Sequence, residues 1–156
     1  GHRTSCKVNP PLREQEDVDA LVDALADGTI DCIATDHAPH SRLEKDCEFA
    51  EARPGMCGRG LVLPMLRQRT SQGKLPRSRL VDALTLAPSR VVSIEAPKLA
   101  VGSLAELCVV SPEEPVRFDT FVSKSKNTPF LGEERRGKVE LLLAGGSLAL
   151  DEIAQA

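Results

Sequence analysis

The sequence predicts an α/β fold that becomes β-rich in its last third, and three observations predict it. Apolar residues recur with helical period over residues 14–26, and a short apolar run at residues 30–35 follows at once. Two more helix-length segments stand at residues 61–70 and 77–86. From near Pro97 onward the apolar residues gather instead in short runs, at residues 104–110, 138–143 and 147–150.

Each element has its own reason. Asn9-Pro10-Pro11 is expected to be extended, because each proline fixes φ and biases the residue before it away from helix. Val18, Leu21, Val22 and Leu25 then fall at i, i+3, i+4 and i+7, which makes one apolar helix face. Glu14, Glu16 and Asp17 lie in the first turn, where the helix dipole favours them, and Gly28 supplies the stop. Residues 30–35 read as a buried strand ending at Asp36, so helix, tight turn and strand form one step of an α/β sheet or barrel. Residues 47–60 hold three glycines and a proline without period, which predicts a long loop of the kind that is functional or disordered. Pro64 is tolerable only near the start of the helix over residues 61–70. In the last region, Gly145-Gly146 predicts a hairpin turn between two strands. The division is therefore residues 1–96, then residues 97–156.

Composition narrows the function. The 156 residues are 41% hydrophobic and 28% charged, an ordinary soluble composition with enough apolar matter for one core. A net charge of −3, no basic stripe and only 3% aromatics argue against nucleic acid as a partner. No apolar stretch approaches the roughly 20 residues of a spanning helix, and the start has no apolar leader, so a cytoplasmic protein is expected. Five cysteines without a CxxC pair read as reduced thiols, with Cys32 and Cys108 as small core residues in apolar runs. The chain opens on Gly1-His2 rather than Met, which suggests an excised piece or a tag scar.

The chemistry concentrates at Asp36, His37 and His40, just past the end of the expected strand, where α/β folds collect ligands and catalytic groups. Three uses of Asp36 fit: a carboxylate metal ligand, a general base on a metal-bound water, or a cap for the next segment. Pro39 keeps His37 and His40 off a common helical face. The chain has three histidines, His2 included, and a hydrolytic zinc site normally takes three protein ligands. Asp36 with both nearby histidines would make a strained site, so further ligands are expected from outside the chain. The residues from Lys7 to Arg13 hint weakly at an anion site, and Ser123-Lys124-Ser125-Lys126-Asn127 reads alone as a polar loop. Gly55, Gly58 and Gly60 form no GxGxxG, and Ser41 sits on no strained elbow.

Lys7-Val8-Asn9-Pro10-Pro11-Leu12-Arg13, Asp27-Gly28-Thr29-Ile30-Asp31 and Ile33-Ala34-Thr35-Asp36-His37-Ala38-Pro39-His40 together resemble the class I dihydroorotases of the amidohydrolase superfamily, in order and in spacing. The resemblance continues through Gly55, Gly58, Leu63-Pro64, the run from Gly102 to Val110, and the segment from Ser123 to Phe130 with Gly132. It covers nearly the whole chain after Cys6. Allantoinases and dihydropyrimidinases differ at the Asp36 and Asn9 motifs.

This resemblance implies that residues 1–96 are the C-terminal part of a metal-dependent-hydrolase (β/α) barrel and residues 97–156 a small β-rich domain. It implies reversible hydrolysis of the cyclic amide of dihydroorotate to N-carbamoyl-aspartate in pyrimidine biosynthesis, with one or two zinc ions. Asp36 would be both a zinc ligand and the catalytic proton shuttle. Asn9 and His40 would contact substrate, and the backbone at Pro54 and Gly55 would close over it. A homo-oligomer or a complex with aspartate transcarbamoylase is implied as well. The family's His-x-His motif, its bridging acidic residue and its other histidine ligands have no counterpart here. Pro54 stands where the family usually has Phe, and Gly60 where it often has Glu. The alternative is a non-catalytic dihydroorotase-like subunit that scaffolds aspartate transcarbamoylase.

Overall fold

A computed structural model describes residues 3–153, so His2 and the Gly1 start lie outside the described residues. Among the described residues a 3-10 turn at Thr4–Cys6 precedes five α-helices: α1 (Gln15–Asp27), α2 (Arg42–Lys45), α3 (Val62–Ser71), α4 (Arg77–Leu84) and α5 (Leu86–Val91). A three-stranded antiparallel sheet follows, β1 (Leu107–Arg117), β2 (Glu134–Ala144) and β3 (Ser147–Asp151), in the order β1-β2-β3. The chain is thus α/β with a small sheet.

Helix α1 ends where expected, because Gly28 adopts φ 90°, ψ 6°, a left-handed stop that side-chain-bearing residues resist. Leu25 from α1 enters a core with Leu75, Leu80 and Ala83, and Ile30, Ile33, Leu66 and Leu84 pack around it. Pro64 falls in the first turn of α3, where amides have no helical partner anyway. The helix expected over residues 77–86 breaks at Thr85 (φ −128°, ψ −80°) and restarts as α5. Pro88 explains the break: it has no N–H to give to the carbonyl of Leu84 in a continuous helix.

The strand expected at residues 30–35 does not form. Ile33 donates its N–H to the Ala83 carbonyl (3.0 Å), and nearby a single parallel bridge joins His37 to Met56. A parallel strand is stable only between neighbours, and no described strand runs beside this segment. The segment is held instead by Arg79, whose guanidinium donates to the carbonyls of Leu25 (2.8 Å), Asp31 (2.9 Å) and Ile30, and pairs with Asp82 at 3.0 Å. Arg79→Met leaves three carbonyls without this donor and is expected to cost about 2–3 kcal/mol, read as a shift of the denaturation midpoint.

Strand β1 outruns its expected end at Val110, passing Pro112 and Pro115 to reach Arg117. It lies at a sheet edge, and its register with β2 shifts between Ser111 and Pro115, so the missing N–H groups disturb few ladder bonds. Gly145 and Gly146, at φ 59° and 74°, make the hairpin turn between β2 and β3. Helix α3 crosses β2 closely at Gly137, where an added Cβ would sit 3.5 Å from Cα of Pro64. Cys108, expected in the core, is exposed on β1, whereas Cys57 from the long loop is buried. Around Asn9-Pro10 the chain bends, with a cis peptide bond, instead of running extended.

Leu21, Leu99, Val101, Leu104 and Val122 are largely exposed, and β1 and β3 each present an edge. Edges and apolar patches of this kind promote association. The isolated 156-residue chain is expected to self-associate, and a sharp monomer boundary in sedimentation with cooperative melting would contradict this.

Candidate functional site

Asp36 sits where the chain turns from the helical core toward the long loop. Its φ of 41° is left-handed, a conformation that Asp tolerates better than most residues and that concentrates at functional sites. Its side chain is exposed, and its carboxylate makes no hydrogen bond or ion pair with a described residue. The capping use is therefore not realised, and both oxygens are free to take a ligand.

The next residues are fastened to the loop spanning residues 47–60. Ala38 donates to the Met56 carbonyl (3.0 Å), and Nδ1 of His37 accepts from the backbone N–H groups of Gly58 (3.1 Å) and Arg59 (3.2 Å). An Nδ1 that accepts leaves the ring proton on Nε2. Gly58 is required by contact: an added Cβ would lie 2.7 Å from the carbonyl oxygen of Thr35.

His40, Pro54 and Gly55, expected at the substrate, come together, but against each other. Nε2 of His40 donates to the Pro54 carbonyl at 2.9 Å, and Nδ1 lies 3.8 Å from the carboxylate of Glu44. Gly55 packs so tightly that an added Cβ would be 2.7 Å from the Ala38 oxygen and 2.9 Å from Nε2 of His40. Ser41 begins α2 through a reciprocal cap with Glu44, and its N–H and hydroxyl hold the Glu44 carboxyl below the usual carboxylate range.

Asp36, Asn9 and Gly55 share a cavity of about 360 Å³, walled by Met56, Leu61 and Phe130. His40 lines a different one, of about 850 Å³, with Lys45, Ser125 and Asn127. The structure thus unites three of the five expected site residues in one cavity and leaves His40 and Pro54 as the support of Gly55. Lys7 and Arg13, the weak anion hint, are engaged elsewhere: Lys7 donates to the carbonyls of Phe49 (2.7 Å) and Ala50 (2.9 Å), and Arg13 pairs with Asp17 at 3.2 Å.

Two residues that sequence reasoning passed over organise the site. Asn127 Oδ1 accepts from the His40 N–H (3.0 Å) and the Ser125 hydroxyl (2.6 Å), while Nδ2 donates to the Gly55 carbonyl (3.0 Å). Lys45, 7% exposed, donates to three backbone carbonyls of this region. The segment from Ser123 to Phe130 was the signal available for Asn127; nothing local marks Lys45.

As a metal site, the described residues supply one suitable donor. Asp36 offers an unengaged carboxylate, but no three of His, Cys, Asp and Glu converge among the described residues. His37 and His40 turn one ring nitrogen each to backbone partners.

The chain matches the Amidohydrolase family over residues 7–149. It is 43% identical over 148 residues to a dihydroorotase of Pelobacter propionicus, covering 94% of this chain and 35% of that protein. It is also 43% identical over 150 residues to a dihydroorotase of Geobacter metallireducens, covering 95% and 35%. Among solved structures it resembles an L-hydantoinase (dihydropyrimidinase) from Arthrobacter aurescens, with TM-score 0.84 and 29% identity over 94% of this chain and 34% of that one. A dihydropyrimidinase from Brevibacillus agri shares the fold at TM-score 0.83 and 21% identity, covering 96% and 34%. The chain spans about a third of the length of the curated relatives it matches.

Proposed function

The chain belongs to the amidohydrolase family, and on that premise we propose that it is the C-terminal part of a dihydroorotase, contributing the acid–base carboxylate to a barrel-mouth site that hydrolyses the cyclic amide of dihydroorotate. One observation supports this above the others. Asp36 is held at positive φ with an unengaged carboxylate, in one cavity with Asn9 and Gly55. The identity to dihydroorotases over nearly the whole chain supports the choice of substrate.

Asp36 would accept the proton of the attacking water and return it to the ring nitrogen as the amide C–N bond breaks, giving N-carbamoyl-aspartate. The Asn9 amide would orient the substrate by hydrogen bonds. The segment at Pro54 and Gly55, braced by His40, would form a wall that limits water. One or two zinc ions, held in part by Asp36, would supply Lewis acidity and an acidified water. The remaining ligands would come from the other two thirds of such a protein. The proposed setting is cytoplasmic pyrimidine biosynthesis, in a homo-oligomer or with aspartate transcarbamoylase. No described helix is long and apolar enough to cross a membrane.

The test uses the complete protein expressed from its whole reading frame. A preference in kcat/KM of at least about 100-fold for dihydroorotate over dihydrouracil and hydantoin is expected, since a site built around a substrate group rejects analogues lacking it. The reverse preference would replace this reading with a hydantoinase one. Absence of turnover on all three would favour the scaffold for aspartate transcarbamoylase.

A further inference from the structure

Lys45 is a buried cation with no carboxylate in contact. Its ammonium lies 2.8 Å from the Arg53 carbonyl, 3.0 Å from that of Gly55 and 3.3 Å from that of Lys7. Three N–H donors meet three acceptors, so the group is saturated without an ion-pair partner. Burial, with the charge of Lys7 nearby, pulls its pKa below the ordinary lysine value. A buried charge is costly, and an apolar side chain of the same length would avoid that cost. What the charge gains is a grip on backbone from separate segments.

Lys7 grips the same loop from the other side. Its ammonium holds the carbonyls of Phe49 and Ala50 and lies 5.2 Å from the centre of the Phe49 ring. The Lys7 carbonyl in turn accepts from both Lys45 and the Gly55 N–H (2.9 Å). Two lysines therefore bind four carbonyls of the loop, and the cap at Ser41 fixes where α2 delivers Lys45.

We propose that Lys45 is a positioning residue for the Asp36 cavity: it ties Lys7, Arg53 and Gly55 together and so seats the loop whose Gly55 forms the cavity wall. The choice of dihydroorotate as the probe rests on the function proposed above; the clamp itself does not. Without Lys45, the Lys7 carbonyl keeps the Gly55 N–H and the Gly55 carbonyl keeps Asn127, but the Arg53 carbonyl loses its lysine donor. The core around Leu25, Leu75 and Leu80 does not involve it. The loop, not the fold, depends on this residue.

The experiment compares K45M and K45R with the wild type in the complete protein. For K45M, the KM for dihydroorotate is expected to rise about tenfold or more while kcat falls less than about threefold. Amide exchange at Arg53 and Gly55 is expected to accelerate about tenfold or more, with α1 and α4 unchanged. K45R, which keeps the cation but replaces the compact ammonium with a planar guanidinium, is expected to recover part of both effects. Wild-type KM and exchange in K45M would overturn the proposal. So would acceleration spread evenly over α1 and α4, which marks a general role in stability. If the wild type does not turn over dihydroorotate, the proposed reaction fails, and exchange at Arg53 and Gly55 still decides the clamp.

Discussion

Asp36→Asn is expected to lower kcat/KM for ring opening by about 10²–10⁴-fold, the usual contribution of a positioned acid–base group. The substitution isolates chemistry from folding. Asn has nearly the shape of Asp and is, like it, among the residues enriched at positive φ, so the backbone at φ 41° is preserved. No described group bonds to the carboxylate, so no structural partner is lost. What disappears is the negative charge and the capacity to hold a proton. Zinc content of the complete protein is expected to fall as well, because the anionic ligand is gone. Unchanged turnover with unchanged melting would remove Asp36 from the mechanism. Asp36→Val is a poorer probe, since a β-branched residue at this φ adds strain of its own.

Gly55→Ala is expected to destabilise the fold strongly. The new methyl would lie 2.7 Å from the Ala38 oxygen, 2.8 Å from the Ala38 Cβ and 2.9 Å from Nε2 of His40. Two of those neighbours are backbone or backbone-fixed atoms, so they cannot swing aside. The φ of 139° adds strain for any side chain. Overpacking and strain together are expected to cost about 2–4 kcal/mol, seen as a lower denaturation midpoint. The Gly55 carbonyl would move away from Lys45 and Asn127, so KM is expected to rise in the surviving folded fraction. Gly60→Ala is the control five residues away. Nothing lies within 4 Å of its added Cβ and its φ is not left-handed, so a change within about 0.5 kcal/mol is expected.

These expectations trace what was legible in the sequence. Helices α1, α3 and α4 were, because their signals are local: an apolar period, first-turn acids and a terminal glycine for α1, and helix-length segments for α3 and α4. Residues 30–35 were not, because strand formation depends on neighbours that a local run cannot reveal. The extent of β1 beyond Val110 was not legible for a similar reason: Pro112 and Pro115 are tolerated at an edge, and only the topology says which strand is the edge.

The site divides along the same line. Asp36 stands out in the sequence by its place just after an apolar run, and Asn9 and Gly55 by their motifs; the structure puts all three in one cavity. His40, read in the sequence as a substrate contact, places Nε2 on the Pro54 carbonyl and lines the neighbouring cavity. Lys45 and Asn127 work through backbone carbonyls and amides far along the chain, contacts that no spacing encodes.

We propose that the chain carries the acid–base carboxylate of a dihydroorotase and only one of its zinc ligands. The most direct measurement pairs zinc content with dihydroorotate turnover, for the 156-residue chain alone and for the complete protein. The expected result is no stoichiometric zinc and no turnover for the chain alone, and both for the complete protein. Turnover by the chain alone that zinc supports and Asp36→Ala abolishes would contradict the claim.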